Sequence, residues 1–214
     1  MLNLCQGPRY AILKRTIDVV GAFLILMLSI PFFIVIAIWV RMDSPGPILY
    51  FQTRITKGKK PFQAIKFRSM TVASGNAAND GVTSPDKQNR ITRAGRFIRK
   101  YRLDELPQLW NVLVGEMSLV GPRPQTPRYV DLYPEIYDRI LTIRPGITGL
   151  ASIKFHETEE RMLAAAGDNA DDVYINRILP MKFKYNLFYV GHYGLWFDVQ
   201  IIWWTLKGMV RKAR

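Results

Sequence analysis

The stretch RKYRLDELPQLWN, Arg99 to Asn111, runs arginines into two adjacent carboxylates, Asp104 and Glu105, and then into Pro107. These residue types at this spacing suit phosphoryl chemistry. An ionised carboxylate is a competent nucleophile toward phosphorus and gives an acyl phosphate. A second carboxylate beside it can hold Mg²⁺, which bridges phosphate oxygens. Rigidly held arginines recognise those oxygens through forked hydrogen bonds. The same residues also make a capped turn. Leu106, Leu109, Trp110 and Leu113 follow helical spacing, and Pro107 is tolerated only in the first turn of that helix. Asp104 is then expected at or beside the N-cap, ionised by the helix dipole, with salt bridges to Lys100 and Arg102. Taken alone, the cap is the commoner arrangement, so the surroundings decide.

Those surroundings are basic. The 214 residues carry a net charge of +13 and imply an anionic partner: nucleic acid, anionic lipid or a phosphorylated substrate. No nucleic-acid-binding motif accompanies the charge, so nucleic acid is not the expected partner. Cys5 is the only cysteine, which excludes an internal disulfide, and the isolated His156 and His192 do not make a zinc site. Arginines at 90, 93, 96, 99 and 102 recur every three residues and cannot share one helix face. Most are expected to be solvated, with some turned to a site.

Two segments point to a membrane. Between Asp18 and Arg41 lie about 22 residues without a charge, VVGAFLILMLSIPFFIVIAIWV, long enough to cross a hydrocarbon core. Cations flank both ends, which places both on the cytoplasmic side. Pro31 is expected to break the helix, and the Ser29 hydroxyl to satisfy a carbonyl freed by the break. A re-entrant helix-break-helix over residues 14–41 follows. At the C-terminus, Trp196, Trp203 and Trp204 beside Lys207, Arg211 and Lys212 suit a helix lying among anionic headgroups.

The remaining chain, residues 42–214, reads as the globular part of a single domain spanning 1–214. ILYFQTR and PFQAIKFRSM around a Gly-Lys turn predict a β-hairpin. Residues 71–89 read as a mobile, lid-like loop. Pro122-Arg123-Pro124 predicts a stiff loop presenting one guanidinium. FHETEERMLAAAGDNADDVY reads as an acidic surface helix followed by a polar loop. The expected fold class is α+β, mainly helical, with a small antiparallel hairpin and amphipathic interfacial helices.

DSPGP, KFRSM, LDELPQLWNVLVGEMSLVGPRP and RPGITGLAS follow one another in this chain as they do in the bacterial sugar transferases, the monotopic phosphoglycosyl transferases, and the resemblance runs from about Lys14 to the C-terminus. It implies an enzyme of the bacterial inner membrane, with its catalytic part on the cytosolic face. Such an enzyme transfers a phospho-sugar from a UDP-sugar to undecaprenyl phosphate, releases UMP and begins a surface glycan. It further implies that Asp104 attacks the sugar-bearing phosphorus to form a covalent intermediate. Glu105 is implied to assist through Mg²⁺ or as a base, with metal binding preferred. Lys66, Arg99 and Arg123 are implied to surround the phosphates. Two departures accompany it. Ser29-Ile30-Pro31 replaces an adjacent Ser-Pro, and SIKFHETEE stands where a QVNGR-like stretch is common. The chain also reads as a minimal catalytic form. A non-enzymatic basic module on a membrane surface is the alternative, and it predicts that Asp104 is dispensable. A glycosyltransferase releasing UDP is a further one.

Overall fold

A computed structural model describes residues 7–71 and 90–213, so the expected lid at 71–89 lies almost wholly outside the described residues. The helices are α1 (Pro8–Asp43), α2 (Arg93–Lys100), α3 (Gln108–Val114), α4 (Pro127–Leu132), α5 (Pro134–Ile140) and α6 (Leu150–Ala166). A short α7 (Ala170–Val173) then passes through a π-helical segment, Tyr174–Ile178, into α8 (Leu179–His192), and α9 (Leu195–Ala213) follows. The mainly helical α+β class agrees with the sequence reading. The polar loop expected after the acidic helix does not: it is a 3-10 turn at Gly167–Asn169 and then helix.

The predicted hairpin is present as β1 (Leu49–Ile55) and β2 (Pro61–Phe67), antiparallel in a register running from Leu49 opposite Phe67 to Ile55 opposite Pro61. Between them Gly58 and Lys59 take positive φ. A second pair went unpredicted. β3 (Ser118–Val120) lies parallel to β4 (Gly146–Thr148). Their closeness depends on glycine: a Cβ on Gly146 would stand 2.0 Å from the Gly121 nitrogen, and one on Gly121 would stand 2.6 Å from the Arg144 carbonyl oxygen.

α1 carries one buried stripe at helical spacing: Asp18, Ala22, Ile36 and Val40, with Leu26 and Phe33 partly buried. Its N-terminal half packs on Phe62, Ala64 and Leu109, and its C-terminal half on Phe67, Ala94 and Ile98. The opposite face is apolar and exposed, including Leu28, Phe32, Val35 and Met42. A patch of that extent marks a surface met by another apolar phase.

Both ends of α1 are fastened to the same polar body. Near the start, the Arg15 guanidinium donates to the carbonyls of Val112 (2.7 Å) and Leu113 (3.0 Å). Asp18 accepts from the Ser118 hydroxyl (2.7 Å) and the Leu119 amide (3.2 Å). At the far end, Arg68 donates to the carbonyls of Val40 (3.2 Å) and Ser44 (2.7 Å), and Asp43 accepts from the Ala94 amide (2.8 Å).

The expected interruption at Ser29 and Pro31 is corrected. Pro31 lies inside α1, which remains helical through it. The Ser29 hydroxyl makes no hydrogen bond among the described residues. A proline removes one i→i−4 hydrogen bond and crowds one carbonyl, and a long helix with apolar surroundings absorbs both without ending. The exposed tryptophans of the expected interfacial helix are in place on α9, with Trp196 74% and Trp203 65% exposed.

Gly146→Ala is expected to lower stability by about 1–3 kcal/mol or more, because backbone rather than a flexible side chain meets the new methyl. Gly191→Ala, in α8 with nothing within 4 Å, is expected to leave the thermal midpoint unchanged or raise it. Thermal unfolding of both variants measures the contrast.

Candidate active site

The acid pair sits between α2 and α3. Helix α2 is capped by the Thr92 hydroxyl accepting from the Gly95 amide, and it ends at Tyr101. Arg102 then takes the left-handed conformation, φ 55 and ψ 22, and a 3-10 turn covers Leu103–Glu105. That conformation costs a residue with a Cβ roughly 1–2 kcal/mol. Pro107 precedes the first residue of α3 and lacks an amide hydrogen to leave unpaired, while Gly115, φ 96, closes the helix. Asp104 is therefore not the N-cap of α3, as the sequence reading expected, because the 3-10 turn separates the two. The salt bridges expected from the pair to Lys100 and Arg102 are also not formed.

Glu105 points instead into the body of the protein and is 6% exposed. Its Oε1 accepts from Lys66 Nζ of β2 (2.9 Å) and from Arg123 Nη2 (2.6 Å), and its Oε2 from Arg123 Nη1 (3.3 Å). The Arg123 loop is fixed at its flanks. The Gly146 amide donates to the Pro122 carbonyl (2.9 Å), and Arg54 Nη1 donates to the Pro124 carbonyl (3.0 Å). Burial alone would raise the Glu105 carboxyl, but Arg123 and Lys66 outweigh it and hold it well below the usual carboxylate range. Arg123 shifts the opposite way, its cation stabilised chiefly by Glu105.

Asp104 behaves differently. It is half-buried, and its carboxylate makes no hydrogen bond or ion pair among the described residues. Burial and the neighbouring Glu105 charge raise its pKa above the ordinary value, against Lys66, Arg99 and Arg123. Nearby cations, not a helix start, favour its ionised form. Arg99 is exposed on α2 and acts on Asp104 through its charge alone. Of the five residues expected at the site, Lys66, Glu105 and Arg123 are joined by hydrogen bonds, Asp104 adjoins Glu105, and Arg99 is linked to them only through its charge.

Several others were not foreseen. Arg54 donates to the Gln52 side chain (2.6 Å), and burial, then Arg123, lowers its pKa to about 10. The sheet register puts Gln52, Arg54 and Lys66 on one face, so strand alternation held the signal for Arg54. Tyr174 donates to Gln125 Oε1 (3.2 Å), the buried Lys182 lies 5.1 Å over the Tyr174 ring, and Lys182 pairs with Glu159 (2.6 Å). No sequence spacing announces those contacts.

No group of three or more His, Cys, Asp or Glu side chains converges among the described residues. Asp104 and Glu105 are a two-carboxylate set, which fits Mg²⁺ when substrate phosphates and water complete the coordination. The free Asp104 carboxylate and the lightly used Glu105 Oε2 are the available oxygens.

The family described as bacterial sugar transferase matches residues 9–212, and the chain belongs to it. A UDP-N-acetylgalactosamine-undecaprenyl-phosphate N-acetylgalactosaminephosphotransferase of Aeromonas hydrophila is 34% identical over 96% of this chain and 45% of its own length. A UDP-glucose:undecaprenyl-phosphate glucose-1-phosphate transferase of Caulobacter vibrioides is 35% identical over 98% of this chain and 76% of its own. An exopolysaccharide production protein of Rhizobium leguminosarum is 36% identical over 95% of this chain and 98% of its own. The chain spans less than half the length of the Aeromonas hydrophila relative.

Glu105→Gln is expected to lower stability at neutral pH by about 1–3 kcal/mol, since Lys66 and Arg123 lose their buried counter-charge but keep some access to water. Because the folded carboxyl is depressed, its contribution is complete above the unfolded value of about 4.3 and fades as pH falls toward the folded one. The stability gap between parent and variant should therefore be flat above about pH 5 and narrow on acidification, as denaturant unfolding across pH would measure.

Proposed function

We propose that this chain transfers a phospho-sugar from a UDP-sugar to a polyprenyl phosphate such as undecaprenyl phosphate, releasing UMP through a covalent aspartyl-phosphosugar. The observation that carries this reading is a division of labour between neighbours. Glu105 is committed to Lys66 and Arg123, whereas Asp104 is hydrogen-bonded to nothing among the described residues. A carboxylate with no partner, raised in basicity by burial and surrounded by cations, is disposed to attack an anionic phosphorus centre.

In the first half-reaction an Asp104 oxygen forms a bond to the sugar-bearing phosphorus, and the bond from that phosphorus to the bridging oxygen breaks. UMP departs with the bridging oxygen. In the second, an oxygen of the polyprenyl phosphate attacks the same phosphorus and Asp104 leaves as carboxylate. The acceptor is already ionised near neutral pH, so neither step requires a strong base. Lys66, Arg123, Arg54 and Arg99 offset the repulsion between attacking and attacked anions. Mg²⁺ held by Asp104 and Glu105 would neutralise charge on the diphosphate when bound.

The same reading gives the apolar surfaces a role. The exposed face of α1 and the tryptophans of α9 lie in one leaflet of the bacterial inner membrane, in contact with anionic lipid, and keep the site on the cytosolic face. Because both ends of the uninterrupted α1 are fastened to one polar body, the helix lies along the membrane surface with its apolar face in the leaflet and delivers no end to the far side. Relatives named for glucose and for N-acetylgalactosamine set the donors to try first.

With Mg²⁺, undecaprenyl phosphate and a panel of UDP-sugars, the parent chain is expected to release UMP with at least one donor, and Asp104→Asn to release it about a thousandfold more slowly or less. Release of UDP in place of UMP, or an Asp104→Asn variant as fast as the parent, would contradict the proposal.

A further inference from the structure

Most cations at the site are engaged by a neighbouring group. Lys66 and Arg123 are held by Glu105, Arg54 by the Pro124 carbonyl and the Gln52 side chain, and Lys182 by Glu159. Two remain without a side-chain hydrogen bond among the described residues, the exposed Arg99 and the half-buried Arg102. Burial and the charge of Arg123 lower the Arg102 pKa, against Glu105, Asp104 and Glu159.

Its backbone is unusual. Among the described residues only Lys59, in the hairpin turn, and Arg102 take positive φ without being glycine. Glycine or asparagine occupies such a position at far lower cost. The conformation is also firmly mounted, since the Arg102 amide donates to the Arg99 carbonyl (3.1 Å) and its carbonyl accepts from the Glu105 amide (3.2 Å). A strained residue of this kind at a site marks a constraint other than folding economy. Here the constraint leaves a guanidinium without a partner, two residues before the proposed nucleophile.

We propose that Arg102 is a further substrate-binding residue, whose guanidinium receives the diphosphate of a nucleoside-diphosphate sugar while Glu105 still holds Lys66 and Arg123. The inference rests on the reaction proposed above. It assigns an order to the cations: Arg102 and Arg99 meet the incoming anion, and the paired cations serve once Glu105 shares them. A forked guanidinium suits a diphosphate better than an ammonium does.

The test uses glycine, which keeps or relaxes the left-handed backbone while deleting the side chain. UDP is titrated into the purified full chain in detergent, comparing parent, Arg102→Gly and Arg102→Lys, with thermal midpoints taken without ligand. Arg102→Gly is expected to unfold no earlier than the parent and to bind UDP about ten- to a hundredfold more weakly. Its KM for the donor should rise more than its kcat falls, and Arg102→Lys should recover part of the loss. UDP affinity in Arg102→Gly within twofold of the parent overturns the inference, as does a loss of affinity accompanied by a fall in thermal midpoint. If the parent binds UDP and Arg102→Gly does not, yet none of the UDP-sugars yields UMP, the binding role stands and the proposed reaction falls. If UMP forms and UDP binds equally to both, the reaction stands and the role of Arg102 falls. A parent chain that does not bind UDP overturns the inference, and the reaction is then judged by UMP release alone.

Discussion

The ion cluster of the buried Glu105 with the partly buried Lys66 and Arg123 is the constraint on which the site depends. It joins three parts of the chain: β2, the turn before α3, and the loop after β3. Such clusters return little net stability against the burial of their members, because desolvation offsets most of the attraction. What they fix is geometry, since an unpaired member is far more costly than the assembled set. The cluster places a carboxylate and two cations within hydrogen-bonding distance of one another and leaves the adjacent Asp104 outside it. Two consecutive acids, chemically almost alike, thereby acquire opposite characters: one a depressed, engaged anion, the other a raised and available one.

The rest of the fold supplies the walls. Gly121 and Gly146 bring β3 and β4 together and so set the base of the Arg123 loop. Helix α1 packs across α3 and β2 in its first half and α2 in its second, so the element with the largest exposed apolar face also braces the elements that carry Lys66 and the acid pair. Lys14 extends the fastening to α9 through Asp198 (2.8 Å), which also accepts from the Tyr189 hydroxyl (2.5 Å). A membrane acting on α1 and α9 would bear directly on the frame of the site.

Much of this was legible in the order of residues. The hairpin followed from β-branched and aromatic runs about a Gly-Lys turn, and the acid pair and Arg123 loop stood out through their proline flanks. Local spacing was less informative where tertiary contacts decide. Asp104 reads as a helix cap until the left-handed Arg102 and the 3-10 turn are seen. β3 and β4 are three residues each, too short for an alternating pattern to register. Pro31 reads as a break because sequence rules price the lost hydrogen bond and not the packing on both sides of it. Lys182 and Glu159 become neighbours only once α6 and α8 meet.

The most direct measurement is the intact mass of the protein after incubation with Mg²⁺ and each UDP-sugar in the absence of a polyprenyl acceptor, followed by peptide mapping. An adduct of one phosphosugar per chain, mapped to Asp104, absent from Asp104→Asn and discharged by undecaprenyl phosphate, is the predicted result. An unmodified chain under conditions where added acceptor elicits UMP would mean direct transfer between the substrates and would contradict the account.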